Sequence, residues 1–264
     1  VCTCDRKYFP LLQVLVNSIE CNSPKVKIFA RLVNWAENIT DSEIETLKSS
    51  YSGDIEVFLD SNEQMEEPHW DQTDGLVSKF LKREKSQYSD RKESAFKAYS
   101  QLYSDLSAYC TNIKFNSLNM LLEDKHEPLL YMDVDTIVRK PLTELEQIIS
   151  ETDLALVFAA RGIVGFEKGG LIGVNCTDMS RQYIREAEKN MDLFNINGDE
   201  QAFKDAYDVC QPRIAPLSDL YKDEGKDGFN EDSVMWSGHG DIKCYDKQYL
   251  TEQRKYEDNS NNSS

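Results

Sequence analysis

The sequence predicts an α/β domain over residues 1–250: a single mixed, mostly parallel sheet flanked by helices, with a polar, disordered tail over 251–264. Three observations carry this prediction. Short apolar runs of strand length alternate along the chain with stretches whose apolar residues recur at helical spacing. The run Leu129-Leu130-Tyr131-Met132 shows no polar alternation, as strands buried on both faces of parallel sheets do. With 264 residues, 40% of them hydrophobic, the chain can fill the core of one large domain.

The elements follow in order. Val1 to Cys4 reads as the end of a strand. Tyr8 to Glu20 places Leu11, Leu12, Leu15, Val16 and Ile19 on one helical face. Val26 to Val33 is strand-like, and Thr40-Asp41-Ser42-Glu43 has the form of a capping box that opens a short helix. Ile55 to Leu59 is a further strand. This βαβαβ opening is the pattern of a nucleotide-binding α/β half.

Asp60 to Asp74 is acidic and reads as a loop; Lys79 to Lys92 carries both signs of charge and reads as exposed. From Phe96 to Cys110, and again over Ile113, Leu118, Leu121 and Leu122, apolar spacing predicts one or two long helices against the sheet. Pro141 to Ile149 reads as a helix and Leu154 to Phe158 as a strand. Gly169 to Asn175 is a glycine-bearing strand, a pattern that accompanies close backbone approach. Met179 to Met191 and Asp199 to Ala206 read as helices, and Ser233 to Trp236 as the last strand-like run.

Composition excludes some functions. The net charge of −17, from 47 acidic and 30 basic residues, argues against nucleic-acid binding, which needs a basic footprint. No apolar run approaches a membrane span. The seven cysteines are scattered, without a C-x-x-C pair, so reduced thiols in a cytoplasmic compartment are expected. The chain opens at Val1 inside a strand-like stretch, the form of a piece of a longer product.

The densest chemical signal is Asp133-Val134-Asp135, directly after the buried strand. In an open α/β sheet, ligands sit at the carboxyl ends of strands. Two carboxylates one residue apart there suit a hard divalent cation that also holds phosphate oxygens. The plain alternative is a strand ending in a polar turn, where Asp is common. His239 is flanked by Gly238 and Gly240, which let the backbone approach a ligand, and Lys243 follows four residues later. A histidine in an ordinary loop is the competing reading. Gly198-Asp199-Glu200-Gln201 opens a short helix, where Asp199 serves either as an N-cap or as a carboxylate beside a sugar hydroxyl.

Taken together, these residues resemble the GT-A-fold glycosyltransferases, most closely glycosyltransferase family 8, the group of glycogenin and the bacterial galactosyltransferases. Thr3-Cys4-Asp5-Arg6-Lys7-Tyr8 resembles the opening strand and turn that hold the nucleotide base. Lys114-Phe115, with Leu118 and Leu121-Leu122, resembles the R-F-x-x-L-x-x-L-L helix, with lysine for arginine. Tyr131 to Val138 resembles Y-L-D-x-D-x-x-V. Lys168 to Asn175 stands where the family has F-N-S-G-x-x-L-x-N, with Lys168-Gly169 replacing the acceptor-facing Asn-Ser pair. Asp199 to Phe203 stands at D-Q-x-x-L-N, with Glu200 at the glutamine position, or Gln201 after a shift of one residue. His239 to Lys243 stands at H-x-x-G-x-x-K, two residues short.

The resemblance implies a metal-dependent transfer of sugar from a nucleoside-diphosphate sugar, a UDP-sugar, to an unidentified glycan, lipid or protein acceptor, with retention at the anomeric carbon. It implies manganese or magnesium on Asp133, Asp135 and His239. Asp5 and Tyr8 would hold the base, and Lys114, Val134, Gly240 and Lys243 would complete the donor site. Asp199, Glu200 and Gln201 would be the catalytic candidates. Two other classes compete. A non-catalytic sugar-nucleotide-binding protein on the same fold is compatible with the departures at Lys168 and Glu200. A haloacid-dehalogenase-type phosphohydrolase also reads D-x-D after an apolar strand, but its pair lies near the chain start and a paired Asp-Asp motif follows.

Overall fold

A computed structural model of the chain describes residues 1–34, 38–60, 108–158, 167–191, 198–238 and 242–257. The expected loop after Asp60, the charged segment Lys79–Lys92 and most of the aromatic helix from Phe96 lie outside these residues.

The opening half is built of strands β1 (Cys2–Asp5), β2 (Ile28–Val33) and β3 (Ile55–Asp60), joined by helices α1 (Phe9–Asn22) and α2 (Asp41–Ser49). The strands pair in parallel in the order β1-β2-β3. The capping box at α2 is formed, with Thr40 accepting from Glu43 N and Glu43 accepting from Thr40 N. Glu43 also pairs with Arg6 of the turn after β1, which lowers its carboxyl to about 2.

Helix α3 (Lys114–Lys125) leads into β4 (Leu129–Met132) and β5 (Thr136–Val138), and α4 (Thr143–Glu151) follows. Strands β6 (Leu154–Phe158) and β7 (Glu167–Val174), helices α5 (Asp178–Asn190) and α6 (Gly198–Cys210), and strand β8 (Ile214–Leu217) complete the second half. Its order is β4-β7-β6-β8, with β7 antiparallel to both neighbours and β8 parallel to β6. Val1 joins the halves: its nitrogen donates to Leu130 O at 2.6 Å and its carbonyl accepts from Met132 N at 2.9 Å. Bonding to residues on either side of Tyr131 is the parallel pattern, so β4 continues the sheet beside β1.

Side-chain alternation along the central strands explains the layers. Tyr131, Leu154, Leu156, Ile172 and Val174 face α3, α5 and α6, among Phe115, Leu118, Tyr183 and Phe203. Met132, Ala155, Val157 and Leu171 face the other way, among Leu12, Leu15, Leu32, Leu145 and Ile149. A smaller antiparallel pair, β5 with β9 (Met235–Ser237), stands apart from the main sheet.

Several elements depart from expectation. Helix α6 runs to Cys210 instead of Ala206. Strand β8 escapes the apolar pattern because it is short and contains Pro216; it pairs on one side only, as strand proline requires. Residues 251–257, expected as tail, are helical: they complete α8 (Lys247–Glu257), which follows the short α7 (Ile242–Tyr245). Only Tyr249, Glu252 and Tyr256 of α8 are buried, at i, i+3 and i+7, and Asn17 of α1 donates to Tyr256 O at 2.7 Å. A polar composition hid this narrow buried stripe.

Candidate active site

The two aspartates are held by backbone as well as by side chains. Beyond the end of β4, Asp133 N still bonds Gly170 O of β7 at 2.9 Å, and Thr136 N bonds Asp133 O at 3.1 Å. That short turn carries Asp133 and Asp135 out of the sheet at its carboxyl end. The Asp135 carbonyl accepts from Gly238 N at 2.8 Å and from the Tyr249 hydroxyl at 2.7 Å. Helix α8, unforeseen as a helix in the sequence, therefore steadies the second aspartate through Tyr249.

The carboxyl ends of β1 and β4 enclose a cleft of about 150 Å³. It brings together Asp5, Tyr8, Asp133, Val134, Asp135 and Lys243, with Thr3, Cys4, Cys110, Thr111 and Tyr131 completing its wall. A larger cavity of about 330 Å³ lies at the opposite end, where β2 and β4 begin. Its lining is mainly apolar, including Leu15, Ile19, Leu130 and Ile149, and it is at the wrong end of the strands for a ligand site in such a sheet.

Asp5 is buried and accepts from Tyr8 N at 3.1 Å, so it caps the turn that presents the Tyr8 ring. Burial raises its carboxyl above the usual range, partly offset by the backbone N–H groups of Tyr8 and Lys7. Lys243 donates to Asp135 Oδ2 at 2.6 Å, and its ammonium lies 4.9 Å from the centre of the Tyr8 ring. Burial works against this ammonium, yet attraction to Asp135, Tyr8 and Asp133 carries it above the usual lysine range. It is a fixed positive charge between the base side of the cleft and the aspartates.

A second cluster adjoins the first across β7. Lys114 opens α3 with 1% of its side chain exposed. Its Nζ lies 2.9 Å from Asp199 Oδ2 and 2.9 Å from Gly169 O. Asp199 is the second residue of α6, inside the first turn, where the helix dipole favours its charge. Its carboxylate is committed to Lys114, which the capping reading did not anticipate. A side chain at Gly169 would not fit: its Cβ would fall 2.3 Å from Asp199 Oδ2. Glu200 follows in the same helix, its side chain outside the described set. Gln201 is not brought to the cluster: it is exposed and bonds Asp205 Oδ1 at 2.6 Å.

His239 and Gly240 lie outside the described residues. Among the described residues, no three His, Cys, Asp or Glu side chains converge as a metal site. Asp133 and Asp135 are two hard oxygen donors on one cleft, and Asp133 keeps 37% of its side chain exposed. That donor set fits a hydrated divalent ion, with further ligands to come from elsewhere. Sequence reasoning missed Lys222, whose ammonium lies 3.9 Å from Asp133 Oδ2. It sits in the polar run Lys222-Asp223-Glu224, where nothing in the pattern marks it.

Comparison with known proteins agrees with this architecture. Residues 1–199 match the family described as glycosyl transferase family 8. No curated protein matches the chain. The solved structure of the glycosyltransferase GlyE from Streptococcus pneumoniae TIGR4 is similar at a TM-score of 0.55 and 15% identity, over 97% of this chain and 59% of GlyE. The chain thus spans about three fifths of the length of GlyE. The galactosyltransferase LgtC, solved with donor and acceptor sugar analogues, is similar at a TM-score of 0.53 and 11% identity, over 96% of this chain and 94% of LgtC. The fold is the GT-A fold of these glycosyltransferases. The chain belongs to glycosyl transferase family 8.

Proposed function

We propose that this member of glycosyl transferase family 8 transfers a sugar from a nucleoside-diphosphate sugar, a UDP-sugar, to an acceptor hydroxyl, with retention at the anomeric carbon. One observation carries the reading. A single cleft at the carboxyl ends of β1 and β4 unites a capped turn bearing Tyr8, two aspartates and a fixed lysine. Those are the parts that a base, a metal-bound diphosphate and a leaving group need in that order.

The residues divide the work as follows. Tyr8 offers a ring face to the base, and the Asp5 carboxyl accepts from an N–H on its edge. Asp133 and Asp135, with His239, would hold manganese or magnesium. When bound, such an ion supplies Lewis-acid stabilisation of the departing diphosphate. Lys243 adds a resident positive charge on the leaving group as the bond from sugar carbon to diphosphate oxygen breaks. Asp199, hydrogen-bonded to Lys114 at 2.9 Å, faces the positive charge that builds on the anomeric carbon, or takes a sugar hydroxyl. The acceptor oxygen forms the new bond to the anomeric carbon, and its proton passes to the diphosphate oxygen freed by the broken bond.

The test is direct. Titration with UDP and GDP in the presence of manganese should show preference for UDP; equal or tighter GDP binding overturns the base assignment. Slow release of UDP from a UDP-sugar without acceptor is expected of an enzyme. Donor binding without any turnover, across a panel of UDP-sugars and acceptors, would identify a binding protein instead.

A further inference from the structure

Each aspartate of the pair has its own lysine, and only one of the two was marked by a motif. Lys222 has 7% of its side chain exposed, and its Nζ lies 3.9 Å from Asp133 Oδ2 and 3.8 Å from Glu224 Oε1. Both separations are longer than hydrogen bonds, and an ammonium has three donors to place. The backbone that delivers it is fixed. Val234 N bonds Leu220 O at 2.8 Å, Asp223 N bonds Met235 O at 3.1 Å, and Lys222 N bonds Asp219 O at 3.1 Å. Gly170 leaves the room in which the two charges meet: a Cβ there would fall 2.0 Å from Asp133 Oδ2 and 2.3 Å from Lys222 Nζ.

A buried ammonium is costly unless its charge is used. Glu224 does not require it, because Lys226 pairs with Glu224 Oε2 at 3.2 Å. We propose that Lys222 tunes the metal site: it is a resident cation that competes with a divalent ion for Asp133. It keeps the ion's affinity low until a nucleoside diphosphate arrives. The inference rests on the reading of Asp133 and Asp135 as metal ligands. A unit positive charge about 4 Å from a ligand oxygen repels an entering dication and occupies part of the carboxylate's field. A diphosphate brings negative charge that both cations can share. Metal and nucleotide should therefore bind with positive coupling, each raising the affinity of the other by one factor.

The experiment measures manganese binding to the full chain by titration calorimetry or by the electron paramagnetic resonance of free Mn²⁺, with and without UDP. Lys222→Met should tighten manganese binding without UDP about ten-fold, about 1.4 kcal/mol. Lys222→Arg, which keeps the charge, should stay close to wild type. With UDP present, the gap between wild type and Lys222→Met should shrink. Circular dichroism and melting confirm the fold; Lys222→Gln replaces the methionine variant if that one does not fold. Unchanged or weaker affinity in the folded neutral variant overturns the proposal, as does equal tightening in the arginine variant. Asp133→Asn separates the two ideas: manganese affinity indifferent to it sinks the metal reading itself. If neither wild type nor the neutral variants bind manganese, with or without UDP, both are overturned.

Discussion

Two lysine–aspartate pairs flank the glycines of β7, and they are built differently. Lys114 and Asp199 meet at 2.9 Å, with side chains 1% and 14% exposed, and Lys114 also holds Gly169 O. Lys222 and Asp133 stand 3.9 Å apart, with 7% and 37% exposed. The first pair is closed and hydrogen-bonded; the second is loose and open on one side. A closed pair positions a charge, whereas a loose pair can exchange one cation for another. The contrast separates a residue that must not move from one that must give way to a ligand.

The strongest test breaks the closed pair. Lys114→Met removes the partner of a carboxylate and of a carbonyl, and should cost about 3–5 kcal/mol, as loss of one member of a buried pair does. Urea denaturation would measure it, and a cost under about 1 kcal/mol would show that the pair is looser than its geometry. Asp199→Asn is next. The capping reading expects little change, since Asn caps as well as Asp. The ion pair expects a lower melting temperature together with a large loss of turnover, while UDP affinity stays near wild type. Normal turnover with a lowered melting temperature would leave Asp199 a structural residue.

Gly169→Ala sharpens the comparison by pushing on the closed pair without deleting a charge. Its Cβ would fall 2.3 Å from Asp199 Oδ2 and 2.8 Å from Lys114 Nζ. Overpacking of this kind costs about 1–3 kcal/mol. Asp133→Asn probes the open pair, and there stability should hardly move. The Asp133 carboxylate is 37% exposed and stands 3.9 Å from the buried Lys222, so its loss should cost about 1 kcal/mol, well below the closed pair, and move the melting temperature by about 4 °C or less while metal binding is lost. The smallest effect is expected at Asp5. Its carboxyl is raised by burial, so the folded state binds the proton more tightly than the unfolded state. Its favourable contribution is complete below the unfolded carboxylate pKa and is lost as pH rises through the folded one. Asp5→Asn should therefore gain stability relative to wild type between acid and neutral pH; a difference independent of pH would refute the burial argument.

How much was legible depended on where the information lay. The strand before Asp133, the capping box at Thr40 and the helix over Phe9–Asn22 could be read because each rests on neighbours within a few residues. Apolar period, cap chemistry and strand length are local properties, and they set the α/β class and the place of the aspartates. Family motifs extended that reach to Lys114, Asp199 and Lys243, since spacing stands in for distance when a fold is shared.

Contacts between remote segments were not legible. Nothing local to Lys222 shows that it approaches Asp133, and nothing in Lys247–Glu257 shows that Tyr249 holds the Asp135 carbonyl. The amino-acid sequence by itself determined the class of the fold, its layers and which carboxylates stand at the sheet's carboxyl end, because periodicity and turn chemistry act over short separations. Only the tertiary structure decided which cation each carboxylate receives, because the electrostatic partner of a side chain is set by distance through space, and the segments that deliver Lys222 and Lys243 arrive from about 90 and about 110 residues away.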